Sequence, residues 1–206
     1  MATGRLITIE GIDGAGKTTL AQGLAAELAA RAIPVRLLRE PGGVRAAERI
    51  RELVKDPELH VGAVAEALLY AAARAQLVEE AVRPALSAGT WVLLDRFVES
   101  SLAYQGAGRG LGIEAVLAVN RFAIRGLRPD RTLLLRLDPD LARARAHARG
   151  EPVDRLEREE EEFFARIAAA YDQLAARDPE RIRVLDATQA PERLLASALE
   201  QLRDLL

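Results

Sequence analysis

The chain has 206 residues, no cysteine, and a formal net charge of −2 from 29 basic and 31 acidic residues. That composition excludes disulfides, thiolate metal sites and a cysteine nucleophile, and it leaves no overall field to draw the protein to nucleic acid or an anionic membrane. The length predicts one domain that buries about 70% of the surface its unfolded chain exposes; with no basic leader, and with Glu27 and Glu66 interrupting the longest apolar stretches, we expect a soluble cytoplasmic protein.

Leu6-Ile7-Thr8-Ile9 reads as an apolar strand that runs into Gly11-Ile12-Asp13-Gly14-Ala15-Gly16-Lys17-Thr18, which has the spacing of a phosphate-binding loop. A helix over 19–31 follows. In such a loop the glycines let successive backbone N–H groups converge on one anion, and the next helix points its positive end at it. Lys17, the only lysine besides Lys55, is placed to reach the β- and γ-phosphates, and Thr18 offers a hydroxyl to Mg²⁺. A glycine-rich turn that binds nothing is the weaker alternative, because strand, loop and helix agree.

Val35-Arg36-Leu37-Leu38 is a second strand, ending in the loop Arg39-Glu40-Pro41-Gly42-Gly43. Residues 45–55 have helical spacing, with Ile50, Leu53 and Val54 on one side. Residues 62–87 predict a long alanine-rich helix whose broad apolar face is Val64, Leu68, Leu69 and Leu77, stopped by Gly89. Trp91-Val92-Leu93-Leu94-Asp95 has the continuous apolar character of a buried parallel strand and ends in a carboxylate. Glycines at 106, 108, 110 and 112 predict a mobile loop before a helix over 113–125. Thr132-Leu133-Leu134-Leu135-Arg136-Leu137 and Arg183-Val184-Leu185-Asp186 are the fourth and fifth strands, with a helix over 141–147 between them. Phe163, Ile167, Tyr171 and Leu174 mark the core face of a further helix, and a last one begins at Pro191. This alternation predicts an α/β fold: a doubly wound, parallel, five-stranded sheet with helices on both faces and ligands outside the carboxyl ends of the strands. The phosphate loop, residues 39–43 and Asp95-Arg96 each follow a strand and should converge on that edge.

Asp95, at a strand end opposite the loop, is placed to hold Mg²⁺ through water or to orient the attacking group; pairing with Arg96 is the alternative. Arg96 matches a phosphate bidentately, with Ser100, Ser101, Tyr104 and Gln105 as polar neighbours. Arg143, Arg145, Arg149 and Arg155 straddle Gly150-Glu151-Pro152, which suits a lid at about 143–157 closing over ATP. The competing reading is a solvated face whose arginines pair with Glu157, Glu159, Glu160, Glu161 and Glu162. Tyr70 and Arg74 lie one helical turn apart and offer a stacking ring beside a donor, although these residues alone favour packing. His60 and His147 have no partner at metal-ligand spacing.

With these residues in view, the chain resembles the thymidylate kinases almost end to end. The resemblance rests on residues 9–19, on Arg39-Glu40-Pro41-Gly42-Gly43, on Asp95-Arg96-Phe97 with Ser100 and Ala103-Tyr104-Gln105-Gly106, and on Arg128-Pro129-Asp130. It implies a P-loop kinase that moves the γ-phosphoryl of ATP onto dTMP with Mg²⁺, and a homodimer formed through the long helices. Gly11, Ile12, Asp13, Gly14, Ala15, Gly16, Lys17, Thr18 and Thr19 would bind ATP, joined by Arg143 and Arg145, and Thr18 and Asp95 would serve the metal. Arg51 and Arg96 would hold the acceptor phosphate. Tyr70 would stack on thymine and Arg74 would read its O4, which reverses the preference for packing. Glu40, Pro41, Ser100, Ser101 and Gln105 would line the acceptor site, with Asp13 near the acceptor's sugar and phosphate and Tyr104 crowding its 2′ position.

Several positions depart from the family pattern. Gly14 stands where some members carry a loop arginine, so a lid arginine must supply the catalytic cation, Arg149 first and Arg143, Arg145 and Arg155 behind it. Tyr70 replaces the usual Phe, Ser101 an Asn or Thr, and Val44 a Thr, while Arg136 sits where an acidic residue is common. Two other functions compete: a kinase of the same class with another acceptor, and a nucleotide-binding switch. Against the switch, the sequence has no Asn-Lys-x-Asp guanine-reading motif.

Overall fold

The computed structural model describes residues 4–148, 155–156 and 159–206, with the backbone alone at 146 and 147. The strands β1 (Leu6–Glu10), β2 (Val35–Arg39), β3 (Trp91–Asp95), β4 (Arg131–Arg136) and β5 (Ile182–Asp186) form one parallel sheet in the order β2-β3-β1-β4-β5. All five residues of β1 are buried, and its two polar ones are satisfied. Thr8 shares a 2.7 Å hydrogen bond with Thr132 on β4, and Glu10 accepts from the β3 side. Ile9 lies opposite Asp95 on one side and Leu133 on the other, so the phosphate loop emerges between the ends of β3 and β4. Strand order reverses there, which is where parallel α/β sheets open a ligand crevice.

The helices are α1 (Lys17–Ala30), α2 (Arg45–Lys55), α3 (Ala63–Leu77), α4 (Arg83–Ser87), α5 (Val98–Ser101), α6 (Ile113–Ile124), α7 (Pro139–Ala148), α8 (Glu161–Arg177) and α9 (Pro191–Glu200). Connections run from β1 toward β2 in one direction and from β3 through β4 to β5 in the other, so right-handed crossovers put helices on both faces. α1 packs against β1, β2, β3 and α9, whereas α8 packs against β4 and β5. The Asp130 carboxylate accepts the Leu6 N–H and an Arg5 N–H, each at 2.8 Å, so this part of the Arg-Pro-Asp segment ties the entry of β4 to β1. Among the described residues no helix is long and apolar enough to cross a membrane.

Four expectations need correction. The helix read over 62–87 is α3, a π-helical segment Val78–Val82, and α4. Pro84 has no N–H to donate to residue 80, and the chain widens its turn just before it. The apolar face assigned to this helix is largely misplaced: Leu77 is buried as expected, but Val64 and Leu68 are 62% and 52% exposed, and α3 buries Glu66, Ala67, Ala71 and Arg74. On α2, likewise, Val54 is buried and Leu53 is exposed.

The glycine-rich stretch is also not the expected loop throughout. Leu102–Gly108 continues α5 as a buried π-helical segment. A Cβ on Gly108 would lie 2.7 Å from Cε2 of Phe163 on α8, so this glycine serves close packing rather than mobility. Gly108→Ala should therefore destabilise the fold by about 1–3 kcal/mol, as overpacking does. Urea unfolding checks this, and an unchanged midpoint would restore the mobile-loop reading.

Candidate active site

The donor end of the site is built from β1, its loop and the first turn of α1. Helix α1 begins at Lys17, whose buried ammonium donates to the Ile12 carbonyl at 2.9 Å and lies 4.0 Å from Asp13 Oδ1. Burial, with Arg96 nearby, lowers Lys17 to about 8, against the pull of Asp13, Asp95 and Glu10. Thr18 Oγ1 donates to Asp95 Oδ2 at 2.9 Å. Gly11, Ile12 and Ala15 are buried beneath the loop, and Gly16 and Thr19 are exposed. Gly14 has φ +86°, and a Cβ there would meet the Ala142 carbonyl of α7 at 2.1 Å. α7 thus occupies the space a loop side chain would need, which accounts for glycine at this position.

At the centre, Arg96 leaves β3 in the left-handed backbone region, at φ +71°. Its Nη1 donates to the Gly11 carbonyl at 3.0 Å and to Ser100 Oγ at 3.1 Å, and its Nη2 donates to Asp13 Oδ1 at 2.6 Å. Tyr104 presents its ring 5.1 Å from this guanidinium and donates its hydroxyl to Asp13 Oδ2 at 3.0 Å. Desolvation pushes the Asp13 carboxyl up, but Arg96 and Lys17 outweigh it and hold the group well below the usual carboxylate range. Below this layer the buried Glu10 accepts from Phe97 N–H at 2.7 Å, Ser100 Oγ at 2.6 Å and Tyr171 OH at 3.1 Å. Burial, then the charge of Glu99, raises its pKa.

Asp13, Lys17, Thr18, Asp95, Arg96, Glu40, Pro41, Arg51, Tyr70, Ser100, Ser101, Tyr104 and Gln105 all line one cavity of about 750 Å³. Segments far apart in the chain meet there, as expected from the strand ends. Arg51 Nη1 donates to the Pro41 carbonyl at 2.9 Å, which fixes α2 to the loop after β2. Glu48 accepts the Gly43 N–H at 2.7 Å just before α2 starts at Arg45, and Val44 at the helix N-cap supplies no side-chain cap.

Arg74 is placed differently from its neighbours. It is buried behind the cavity wall, with Nε–H on Glu40 Oε2 at 2.7 Å, Nη1 on Ser101 Oγ at 2.9 Å and on Asn120 Oδ1, and Nη2 on the Phe97 carbonyl at 2.8 Å. One Nη2 hydrogen is left over from the five a guanidinium carries. Burial raises Glu40 to about 7 although Arg74 pulls it down. Glu40 Oε1 has no hydrogen-bond partner among the described residues.

The arginines expected in a lid separate into different roles. Arg143 pairs with Glu161 at 3.0 Å and lies over the Phe164 ring, so here the solvated-face reading holds. Arg145 donates to the Ala187 carbonyl at 2.9 Å. Arg155 donates to the Val54 carbonyl and to Glu66, and neither it nor the other two lines the cavity. Arg149 and the Gly150-Glu151-Pro152 turn lie outside the described residues. Arg136, at the end of β4, pairs with Asp172 on α8 at 2.7 Å.

Sequence reasoning missed Glu66, Arg109, Asn120, Leu156 and the cavity-lining role of Lys55. Two had a signal: Asn120 and Glu66 are polar residues inside helical stretches of small and apolar ones, and both are buried.

Comparison with known proteins agrees with this geometry. The family model described as thymidylate kinase matches residues 9–198. A thymidylate kinase of Pelotomaculum thermopropionicum is 47% identical over 205 residues, covering 98% of this chain and 94% of the relative. One from Deinococcus radiodurans is 47% identical over 196 residues, with 95% of each chain covered. The crystal structure of thymidylate kinase from Ehrlichia chaffeensis superposes with a TM-score of 0.81 at 26% identity, covering 98% of this chain and 99% of that one. A family match over nearly the whole length, on a parallel sheet with the loop at its switch point, makes this chain a member of the thymidylate kinase family.

Proposed function

We propose that the cavity holds both substrates for a direct, in-line transfer of the γ-phosphoryl group of ATP to the phosphate of dTMP, with no covalent enzyme intermediate. ATP-dependent formation of dTDP from dTMP, a step of dTTP synthesis, is the family's reaction and this chain's. The observation that supports the residue assignment is the single cavity lined at one end by Lys17, Thr18 and Asp95 and at the other by Arg51, Tyr70, Ser101 and Gln105, with Arg96 between them. A dissociative phosphoryl transfer needs positioning and charge stabilisation, and this arrangement offers both.

In this proposal the loop residues 11–19 receive the donor phosphates and Lys17 turns from the Ile12 carbonyl to the migrating group. Arg149 supplies the second cation. Arg96 and Arg51 hold the acceptor phosphate. Arg96 keeps Asp13 ionised, and Asp13 and Tyr104 bound the sugar. Tyr70 stacks on the base beside Ser101, Gln105, Ser100, Glu40 and Pro41. Arg74 acts from behind, holding Ser101 and Glu40 in place and offering the base edge at most its remaining N–H. The hydroxyl of Thr18 and the carboxylate of Asp95, already 2.9 Å apart, are hard oxygen donors that fit Mg²⁺, an ion that needs few protein ligands when phosphates and waters complete its shell. Bound there, Mg²⁺ would neutralise charge on the β- and γ-oxygens.

We also propose a cytoplasmic homodimer through α3 and α6. These helices pack on each other and leave Val64, Leu68 and, at 87% exposure, Phe122 facing outward, an apolar surface that suits a second copy. Leu68→Glu with Phe122→Glu should give a monomer by size-exclusion chromatography with light scattering, and a persistent dimer would contradict this interface.

Lys17 tests the donor end. Lys17→Met should lower turnover by about 10²-fold or more while the far-UV spectrum and melting midpoint stay near those of the parent. In the unaltered chain the ammonium is lost as pH rises, so kcat/KM for ATP should be level below and fall through about pH 8. Near-normal turnover of the variant would remove Lys17 from the mechanism, and a profile level to pH 9.5 would contradict its lowered pKa.

A further inference from the structure

Glu66 is a wholly buried carboxylate that none of the roles above uses. It accepts four hydrogen bonds from three side chains: Gln105 in the α5 continuation, Arg109 just after it, and Arg155 between α7 and α8. Gln105 Nε2 donates to Oε1 at 2.8 Å. Arg109 donates Nε–H to Oε1 at 3.3 Å and Nη2 to Oε2 at 3.1 Å, and Arg155 donates Nη2 to Oε2 at 2.5 Å. A buried charge persists only when paired and hydrogen-bonded, and bidentate guanidinium contacts are the strong form of that pairing. Arg109 reaches on to Glu159 at 2.6 Å, and Arg155 donates its Nε–H to the Val54 carbonyl at 3.1 Å.

The Gln105 and Arg155 branches of this network end at or beside groups lining the cavity, and the Arg109 branch braces Glu66 against Glu159. Gln105 lines it directly, and Leu156 follows Arg155 in the chain. Tyr70 is one turn from Glu66 on α3, and Val54 is one turn from Arg51 on α2. None of these bonds touches Lys17, Thr18 or Asp95. We propose that Glu66 is a positioning residue for the acceptor: through Arg155, Arg109 and Gln105 it holds α2, α3 and the segment at Leu156 at the spacing that dTMP occupies. The proposal rests on the acceptor site assigned above. It makes acceptor affinity depend on a charge that the acceptor does not contact.

The test compares the unaltered chain with Glu66→Gln and Arg155→Gln in steady-state ADP formation, each substrate varied in turn. Both variants should raise KM for dTMP about 10-fold or more, the scale of a lost charged hydrogen bond, with KM for ATP changed less than about 2-fold. The double variant should be no worse than Glu66→Gln alone, because both changes cut the same link. Arg155→Gln removes a part-buried partner and leaves Glu66 its other donors, so it keeps the test open should Glu66→Gln fold poorly. Equal effects on both KM values, or none in a folded variant, would overturn the proposal. An unaltered chain that makes no ADP in response to dTMP would overturn the acceptor site itself, and this inference with it.

Discussion

The whole site depends on one guanidinium. Arg96 turns off β3 through a left-handed backbone conformation and ties the Gly11 carbonyl, Asp13 and Ser100 together. Those partners belong to the phosphate loop and to α5, which the sheet alone would leave side by side without fixing their spacing. Because Ser100 in turn donates to Glu10, the tie reaches the last residue of the central strand. A positive φ at a non-glycine residue persists only where its surroundings over-determine it, and here the bonds of its side chain do so.

Around that tie the molecule keeps unusually many buried charges for a core of leucine, alanine and valine. Glu10, Glu40, Glu66, Arg74 and Glu99 are all buried, and they cluster toward the cavity or directly beneath it. Each carboxylate faces a guanidinium or several donors, and the atoms among them without a partner among the described residues are Glu40 Oε1 and Glu99 Oε2. Apolar residues of the same size would pack at lower cost. What the charges provide is fixed placement: Arg74 holds two wall residues from behind, and Glu66 joins three segments that carry other wall residues. A nucleotide site needs donors held within a few tenths of an ångström, and buried ion pairs with several bonds each resist displacement better than exposed side chains do.

The strands, their order of appearance and the phosphate loop were legible because each is a local pattern. Apolar runs of five residues bounded by turns, and glycine spacing before Lys17, need no tertiary information. Arg51 was reached only through resemblance, which also turned Tyr70 from a packing residue into a site residue, and both line the cavity. Periodicity failed on α3 because alanines filled its inner face, so the larger Val64 and Leu68 drew attention to the outer one. The glycines at 106 and 108 misled for a related reason: the absence of a side chain reads the same whether it serves freedom or close contact, and only their neighbours in space, Ile113 at Gly106 and the Phe163 ring at Gly108, distinguish the two. The partners of Glu66 lie between 39 and 89 residues away, a separation that no local pattern reports.

In the proposed reaction one cavity binds a nucleoside monophosphate by both its base and its phosphate and transfers to that phosphate. ADP release from magnesium ATP with dTMP, dUMP, dCMP, thymidine or no acceptor measures this directly. Release should be strong with dTMP, weaker with dUMP and no higher than background with thymidine, which lacks the phosphate for Arg96 and Arg51. Equal release with every acceptor and with none would mean an acceptor-independent nucleotide hydrolase, and would contradict it.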